Sequence, residues 1–343
     1  MDLTTRYMGL PLKNPLVASA SPLTGELGAI RRLEDAEAGA VVLPSIFEEQ
    51  IRAEEERWER LTSAGTDSFP EALTYFPDPG AYRVGPDRYL ELIREAVRAV
   101  DIPIVASLNG VTSEGWISYA KGIEEAGADG LELNIYFFPT DLGEEGQSVE
   151  ERYLQIVRAV RSQVSIPLAV KLLPAFSSLG NMARRMVEAG ARALVLFNRF
   201  YQPQIDLAQL RLVDDLVLSG RSETRLPLFW IRALRGRLDA SLAASTGVEG
   251  EQEAIQYLLA GADVVMTTSA LLREGIPQMK RLVGGLRDWL DQHGFPSVDA
   301  IRGLLSRERL AQTGPEARAR YIDILQRYPD AEAGQPTAGS PAP

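Results

Sequence analysis

Polar side chains stand at the ends of short apolar segments along the whole sequence. Asn134 ends the segment that starts at Gly130, Lys171 lies near the end of an apolar run, and Asn198 follows another. Hydroxyl or small residues end further segments, namely Ser19 with Ala20, Ser45, Thr246 with Gly247, and Thr268 with Ser269. Such a set offers many neutral hydrogen-bond partners and one cation, without a cluster of acids or metal ligands. It suits a bound heteroaromatic cofactor better than hydrolysis.

Lys171 has three interpretations. An isolated ammonium is expensive to bury, so this side chain needs a partner. It could neutralise an electron-rich ring, form a Schiff base with a carbonyl substrate, or pair structurally with Glu132, a carboxylate in the preceding apolar segment. The residues alone leave all three open.

Two late segments indicate a phosphate site. Ser245-Thr-Gly-Val248 and Thr268-Ser269 each follow an apolar run, and their small residues let backbone N–H groups and hydroxyls surround a phosphate at a helix N-terminus. In α/β barrels the turns after the last two strands commonly bind a phosphate. The simpler alternative is that these residues only permit tight turns.

A repeated unit predicts the elements that position these residues. The sequence Ala-Gly-Ala follows a periodic amphipathic stretch and precedes an apolar strand at 38–40, 126–128, 189–191 and 260–262. In each unit the glycine suits a left-handed helix cap. Ile-Pro turns at 102–103 and 166–167 introduce two more strands, and 15–21 and 240–246 complete a set of eight.

Eight strands alternating with helices predict an α/β fold, a single (β/α)8 TIM barrel over residues 1–327. An N-terminal hairpin at 2–14 and a C-terminal helical extension at 296–327 complete it, and 328–343 is expected to be a disordered tail. Residues 226–234 are expected to form a helix, and 46–85 a long excursion whose charged run at 47–57 is a solvated helix. An open doubly wound sheet is less favoured, because no G-x-G-x-x-G follows the first strand.

Composition excludes several classes of function. The 343 residues carry a formal charge of −11, which disfavours a nucleic-acid binder. Zero cysteines and one histidine, His293, exclude disulfides and thiolate chemistry and leave no usual metal centre. No apolar run reaches the roughly 18–20 residues of a membrane span, and no signal segment is recognisable, so a cytoplasmic protein is expected.

The chain resembles the dihydroorotate dehydrogenase family of FMN-dependent barrels, in particular a divergent dihydroorotate dehydrogenase-like branch. The resemblance covers roughly residues 5–290. The segments that carry it, in the same order and spacing as in the family, are Gly9-Leu-Pro-Leu-Lys-Asn-Pro15, Ala18-Ser-Ala-Ser-Pro22, Ala128-Asp-Gly-Leu-Glu-Leu-Asn134, Val170-Lys-Leu-Leu-Pro174, Leu196-Phe-Asn-Arg-Phe-Tyr201, and the stretch from Thr246 to Leu271.

The resemblance implies a cofactor and roles for particular residues. It places FMN against Ser19, Ala20 and Ser45, and against Asn134 and Lys171, which contact the flavin ring and substrate. It makes Asn198 complete the pocket, and it gives the cofactor's phosphate to Thr246, Gly247, Thr268 and Ser269. A small-molecule substrate, possible homodimerisation and an electron acceptor that the sequence does not identify also follow from the family.

Several positions depart from the family. The loop after Asn134 reads Ile-Tyr-Phe-Phe-Pro-Thr140, without the Cys or Ser that removes a substrate proton in the family. Tyr136 is the candidate replacement, although a phenol with an ordinary pKa of about 10 is a poor base. The family's lysine after strand two falls at Leu43-Pro44, and a substrate-binding asparagine falls at Thr74 or Tyr75.

These features predict an FMN-dependent oxidoreductase that acts on a CH–CH bond of a dihydropyrimidine-like substrate. Two other classes remain as alternatives: a non-catalytic FMN- or phosphate-binding barrel, and a Lys171 Schiff-base lyase or aldolase.

Overall fold

A computed structural model describes residues 1–49, 86–110, 114–199, 203–213 and 217–308, together with 319, 321–323 and 326. For 114–118 only the backbone path is described. The predicted charged helix beyond residue 49, the positions Thr74 and Tyr75, and the predicted C-terminal tail lie outside these residues.

Eight parallel strands close into a barrel, which confirms the predicted TIM barrel. The strands are β3 (Leu16–Ala18), β4 (Ala40–Phe47), β5 (Ile104–Asn109), β6 (Gly130–Asn134), β7 (Leu168–Leu172), β8 (Ala193–Leu196), β11 (Ser241–Ala244) and β12 (Val264–Thr267). Around the barrel each strand pairs with the next, and β12 pairs with β3 to close the ring.

The barrel strands are apolar on both faces because both faces are buried. Inward-facing side chains such as Val17, Val42, Ala169 and Val195 form one hydrophobic cluster inside the ring. Outward-facing side chains such as Leu131 pack against the surrounding helices in a second, larger cluster. Burial on both faces explains why the strands appear in the sequence as continuous apolar runs rather than alternating ones.

Amphipathic helices surround the barrel, as the periodic stretches predict. Residues 226–234 are helical, as expected. The α-helices are α1 (Leu27–Asp35), α2 (Pro86–Ala99), α3 (Glu114–Glu125), α4 (Gly146–Arg161), α5 (Leu179–Glu188), α6 (Arg225–Leu234), α7 (Glu251–Ala260), α8 (Ser269–Glu274), α9 (Pro277–Gln292) and α10 (Val298–Ile301). In the part of the chain that the structure describes, no helix is long and apolar enough to cross a bilayer.

The N-terminal hairpin closes the barrel at the end where the strands begin. It consists of β1 (Thr5–Tyr7) and β2 (Leu10–Leu12), paired antiparallel as predicted. Tyr7 is fully buried inside the ring, within the same cluster as the inward-facing strand residues. The hairpin therefore seals the interior of the barrel from below.

The repeated Ala-Gly-Ala unit is less uniform than predicted. Gly127, Gly190 and Gly261 have φ of +97°, +115° and +120°, as the left-handed cap requires. Gly39 does not: Glu37 adopts the positive φ, +69°, in its place. Glycine is required at 39 for another reason, because a Cβ there would lie 2.2 Å from the Asn14 carbonyl oxygen.

Two further features differ from the prediction. Strand β4 continues to Phe47, so it includes two residues that were expected to belong to the excursion. A small hairpin of β9 (Gln204–Asp206) and β10 (Arg211–Val213) follows β8 and was not predicted. Its apolar side chains are largely exposed, so it lacks the buried face from which a strand is recognised.

Candidate functional site

Two asparagines and a lysine meet at the carboxyl ends of β6, β7 and β8. Asn134 and Lys171 are register neighbours in adjacent strands. Asn198 lies just beyond β8, and its Nδ2 donates to Asn134 Oδ1 at 2.6 Å. The structure thus brings these three predicted site residues together at one edge of the barrel mouth.

Lys171 is paired with a fully buried carboxylate. Its Nζ lies 3.6 Å from Oε1 of Glu132, which is two residues deeper in the barrel than Asn134. Glu132 is 0% exposed and Lys171 is 9% exposed. Neither carboxylate oxygen has a hydrogen-bond partner, so the ammonium is the one charge that compensates Glu132 among the residues described. The third interpretation of Lys171, pairing with Glu132, is therefore present in the structure.

Hydroxyl groups on neighbouring strands extend this set of side chains. Together with Asn134, Asn198, Lys171 and Glu132 they form what we call the polar row. Ser45 Oγ and Ser107 Oγ are 2.8 Å apart, and Ser107 is the register neighbour of Glu132. Tyr89, on helix α2, accepts from the Ser107 amide at 2.8 Å and donates to its carbonyl oxygen at 3.3 Å. Ser45 is half-buried and is the register neighbour of Ser107.

The negative charge of Glu132 contributes to the pKa of two buried tyrosines. Burial, reinforced by the negative charge of Glu132, raises the pKa of Tyr7 well above its ordinary value. Burial also raises the pKa of Tyr89, against the effect of its hydrogen bond to Ser107 and with a further contribution from Glu132. The hydroxyl of Tyr7 has no hydrogen-bond partner. The interior below Lys171 therefore holds a buried carboxylate next to two buried phenols.

A cup of small polar residues lies on the other side of the mouth, after β11 and β12. Gly247 N donates to Ser219 Oγ at 3.1 Å, and Ser219 Oγ is 2.9 Å from Ser269 Oγ. Gly247 has φ +76°, and a Cβ there would lie 2.7 Å from Thr224 Cγ2, so glycine is required. Ser219 and Ser269 together form the hydroxyl edge of this cup.

Ser219 belongs to the candidate site, although the sequence pattern does not predict it. It lies in a loop far from Gly247 and Ser269 in the chain, just before the 3-10 turn Arg221–Thr224. The Ser-Gly pair at 219–220 is a small-residue signal of the kind recognised at 246–247. It does not follow a barrel strand directly, however, so the pattern of polar residues at strand ends does not indicate it.

Thr246 is held in a strained conformation beside the cup. Its φ is +83°, unusual for a β-branched residue. Two contacts fix it: Thr246 Oγ1 donates to the Phe197 carbonyl oxygen at 3.1 Å, and the buried hydroxyl of Tyr257 donates to the Thr246 carbonyl oxygen at 2.7 Å. This strain is the kind that structures maintain at binding sites.

An ion-pair network braces the same loops. Arg273 donates to the carbonyl oxygens of Leu218 and Ser219, each at 2.9 Å, and its Nη1 lies 3.3 Å from Glu249. Arg221 contacts Glu249 as well, at 3.3 Å. These contacts hold the loop of Ser219 against the turn that follows β11, and so keep the cup in shape.

The remaining predicted residues lie between the cup and the polar row, or in the loop after β6. Ser19 donates its backbone N–H to the Thr267 carbonyl oxygen at 3.0 Å, and Thr268 Oγ1 reaches the Ala20 carbonyl oxygen at 3.5 Å. Tyr136 is half-buried and packs edge-on against Phe138, with ring centroids 4.6 Å apart.

The fold and the site define a TIM barrel with a cation and an asparagine pair on one side of its mouth and a small polar cup on the other. A family model for dihydroorotate dehydrogenase matches residues 2–290. The chain belongs to the dihydroorotate dehydrogenase family, whose members are FMN-dependent oxidoreductases.

Three relatives share this similarity over most of their length. Each is the catalytic subunit of a dihydroorotate dehydrogenase B (NAD(+)). The Methanothermobacter thermautotrophicus protein is 27% identical over 311 residues, 88% of this chain and 98% of the relative. The Pyrococcus furiosus protein is 26% identical over 310 residues, 89% and 99%. The Methanocella arvoryzae protein is 28% identical over 320 residues, 90% and 99%.

Proposed function

We propose that this protein is an FMN-dependent oxidoreductase that oxidises a CH–CH bond of a dihydropyrimidine-like substrate. The observation that carries the proposal is the pairing, on one barrel mouth, of a hydroxyl-lined cup with a cation beside two asparagines. When bound, FMN would accept a hydride at N5 from the reduced substrate. The residues present suit a cofactor with a phosphate at one end and a heteroaromatic ring at the other.

The cup supports binding of the cofactor's phosphate. The hydroxyls of Ser219 and Ser269 can donate to phosphate oxygens, and the buried Gly247 leaves room for a close approach of the backbone. Thr246 and Thr268 adjoin the cup. Their neighbouring turns meet where barrels commonly bind phosphate.

The polar row supports binding and orientation of the ring. Asn134 and Asn198 hold each other through one amide hydrogen bond and keep further donors and acceptors for a planar ligand. The Lys171 ammonium adds a positive charge where electron density collects on reduction. Ser19, Ala20 and Ser45 border the same mouth.

The substrate side departs from the family's chemistry. The loop after Asn134 has no Cys or Ser, and its one acidic hydroxyl is the Tyr136 phenol. We assign Tyr136 as the replacement group for proton removal. Because a phenol is a weak base at neutral pH, slow turnover of dihydroorotate is expected.

A flavin-binding barrel without catalysis is the second candidate. The packing of Tyr136 against Phe138 favours it, because aromatic side chains in this loop would fill space that a substrate needs. The Schiff-base alternative is weaker. Lys171 would have to lose its charge to attack a carbonyl, which would leave Glu132 without its compensating partner.

The first experiment is an absorption spectrum of the purified protein, followed by anaerobic addition of dihydroorotate. A flavin spectrum that bleaches supports the oxidoreductase, with Tyr136→Phe expected to slow the bleaching. A flavin spectrum that persists favours the non-catalytic candidate. A colourless protein that takes up no added FMN would refute both flavin proposals, and reductive trapping of a carbonyl compound on Lys171 would then support the lyase.

Two glycine variants locate the phosphate end of the site. Gly247→Ala puts a Cβ into a left-handed residue and against Thr224, so FMN affinity should fall at least about tenfold. Gly284→Ala is the matched control, because it lies in helix α9 with nothing within 4 Å of the added Cβ. Equal FMN affinity in both variants would contradict the assignment of the cup.

A further inference from the structure

Glu132 is the least satisfied buried charge in the described part of the barrel. It is 0% exposed, both of its oxygens lack hydrogen bonds, and Lys171 Nζ lies 3.6 Å away. A buried carboxylate ordinarily accepts several hydrogen bonds, since losing its hydration is costly. Among the described residues, the contact with Lys171 is therefore what compensates this charge.

Three ionisable side chains face Glu132. Lys171 lies on β7, Tyr7 on the hairpin below, and Tyr89 on helix α2, with its hydroxyl bound to Ser107. Both tyrosines are neutral near pH 7, since a phenol has an ordinary pKa of about 10 and burial raises the pKa of each one further. Lys171 is therefore the one cation facing the carboxylate among the described residues.

Lys171 lies between the barrel mouth and Glu132. Its backbone is level with Asn134 at the barrel mouth, and its ammonium reaches toward Glu132 below. The carboxylate offsets the charge of the ammonium, so the pair attracts an anionic ring less strongly than an unpaired lysine would.

We propose that Glu132 is a positioning residue that holds the Lys171 ammonium and sets the positive charge that this ammonium presents to the ring of a bound cofactor. This inference rests on the proposed flavin site.

The test uses the protein reconstituted with 6-hydroxy-FMN, a flavin whose ring hydroxyl changes colour when it ionises. In Glu132→Gln the negative charge is gone, so the pKa of the bound hydroxyl should fall by about one unit, a tenfold change in its ionisation constant. Glu132→Asp keeps the charge and should stay near the wild type. A shift in the opposite direction, or no shift, would overturn the proposal.

Failure of the wild-type protein to bind any flavin would instead refute the proposed function itself, so the two failures are distinguishable.

Discussion

Replacing Lys171 with methionine should destabilise the folded protein strongly. Methionine keeps the unbranched shape of the side chain and removes its charge, which leaves Glu132 buried without compensation. Removing one partner of a buried ion pair costs about 3–5 kcal/mol. Against a typical unfolding free energy of roughly 5–15 kcal/mol, such a loss is large.

Adding the second substitution, Glu132→Gln, to Lys171→Met should restore stability. In Lys171→Met/Glu132→Gln no charge remains at this pair, and replacing a whole buried ion pair is often close to neutral. We expect the double variant to recover at least about half of the loss. Urea denaturation of flavin-free protein, followed by fluorescence and circular dichroism, measures both changes without the added stability of a bound ligand.

An exposed ion pair supplies the control. Lys121 and Glu125 lie 4.0 Å apart on helix α3, with side chains 65% and 66% exposed. Because exposed pairs contribute about 0–1 kcal/mol, Lys121→Met should leave the unfolding free energy nearly unchanged. The reasoning fails if Lys171→Met loses no more than this control, or if adding Glu132→Gln brings no recovery.

Three predictions concern the buried tyrosines. Tyr7→Phe removes a hydroxyl without a partner and should leave urea stability unchanged or raise it by about 1 kcal/mol, whereas Tyr89→Phe breaks two bonds to Ser107 and should cost about 1–3 kcal/mol. Tyr257→Phe frees the Thr246 carbonyl oxygen and should weaken FMN binding about fivefold by flavin fluorescence, and unchanged binding would contradict the role of that turn. Burial raises the pKa of Tyr7, Tyr89 and Tyr257, so the native state keeps phenol protons that the unfolded chain releases above about pH 10. The free energy of unfolding should therefore hold below pH 10 and fall as the pH rises further, and urea midpoints measured across this range would show it.

The barrel could be predicted because its evidence is local. Each strand is a short apolar run after an amphipathic helix, and both patterns can be recognised within about twenty residues. The reason for a particular glycine was less accessible. Gly39 occupies the same place in the repeat as Gly127, but close approach of the Asn14 backbone requires it, and that contact depends on the tertiary fold.

Part of the candidate site could also be predicted, because its evidence is likewise local in the sequence. Asn134, Lys171 and Asn198 end strands, and the ends of parallel barrel strands meet at one mouth. Ser219 meets Ser269 only because a loop folds back across 50 residues of chain. The missing hydrogen bonds of Glu132 were likewise invisible in the sequence, since they follow from what surrounds the side chain.

The two halves of the site are physically separate, so one can diverge without the other. The cup depends on Ser219, Gly247 and Ser269, which follow β10, β11 and β12, and the aromatic loop of Tyr136 follows β6. In the closed ring β6 lies three strands from β11 in one direction and five in the other. Changes in the β6 loop would therefore leave the hydroxyl cup in place, and in the proposed oxidoreductase they would change which substrates can be positioned and deprotonated. A cofactor shared with the family is thus compatible with a substrate that the family does not use.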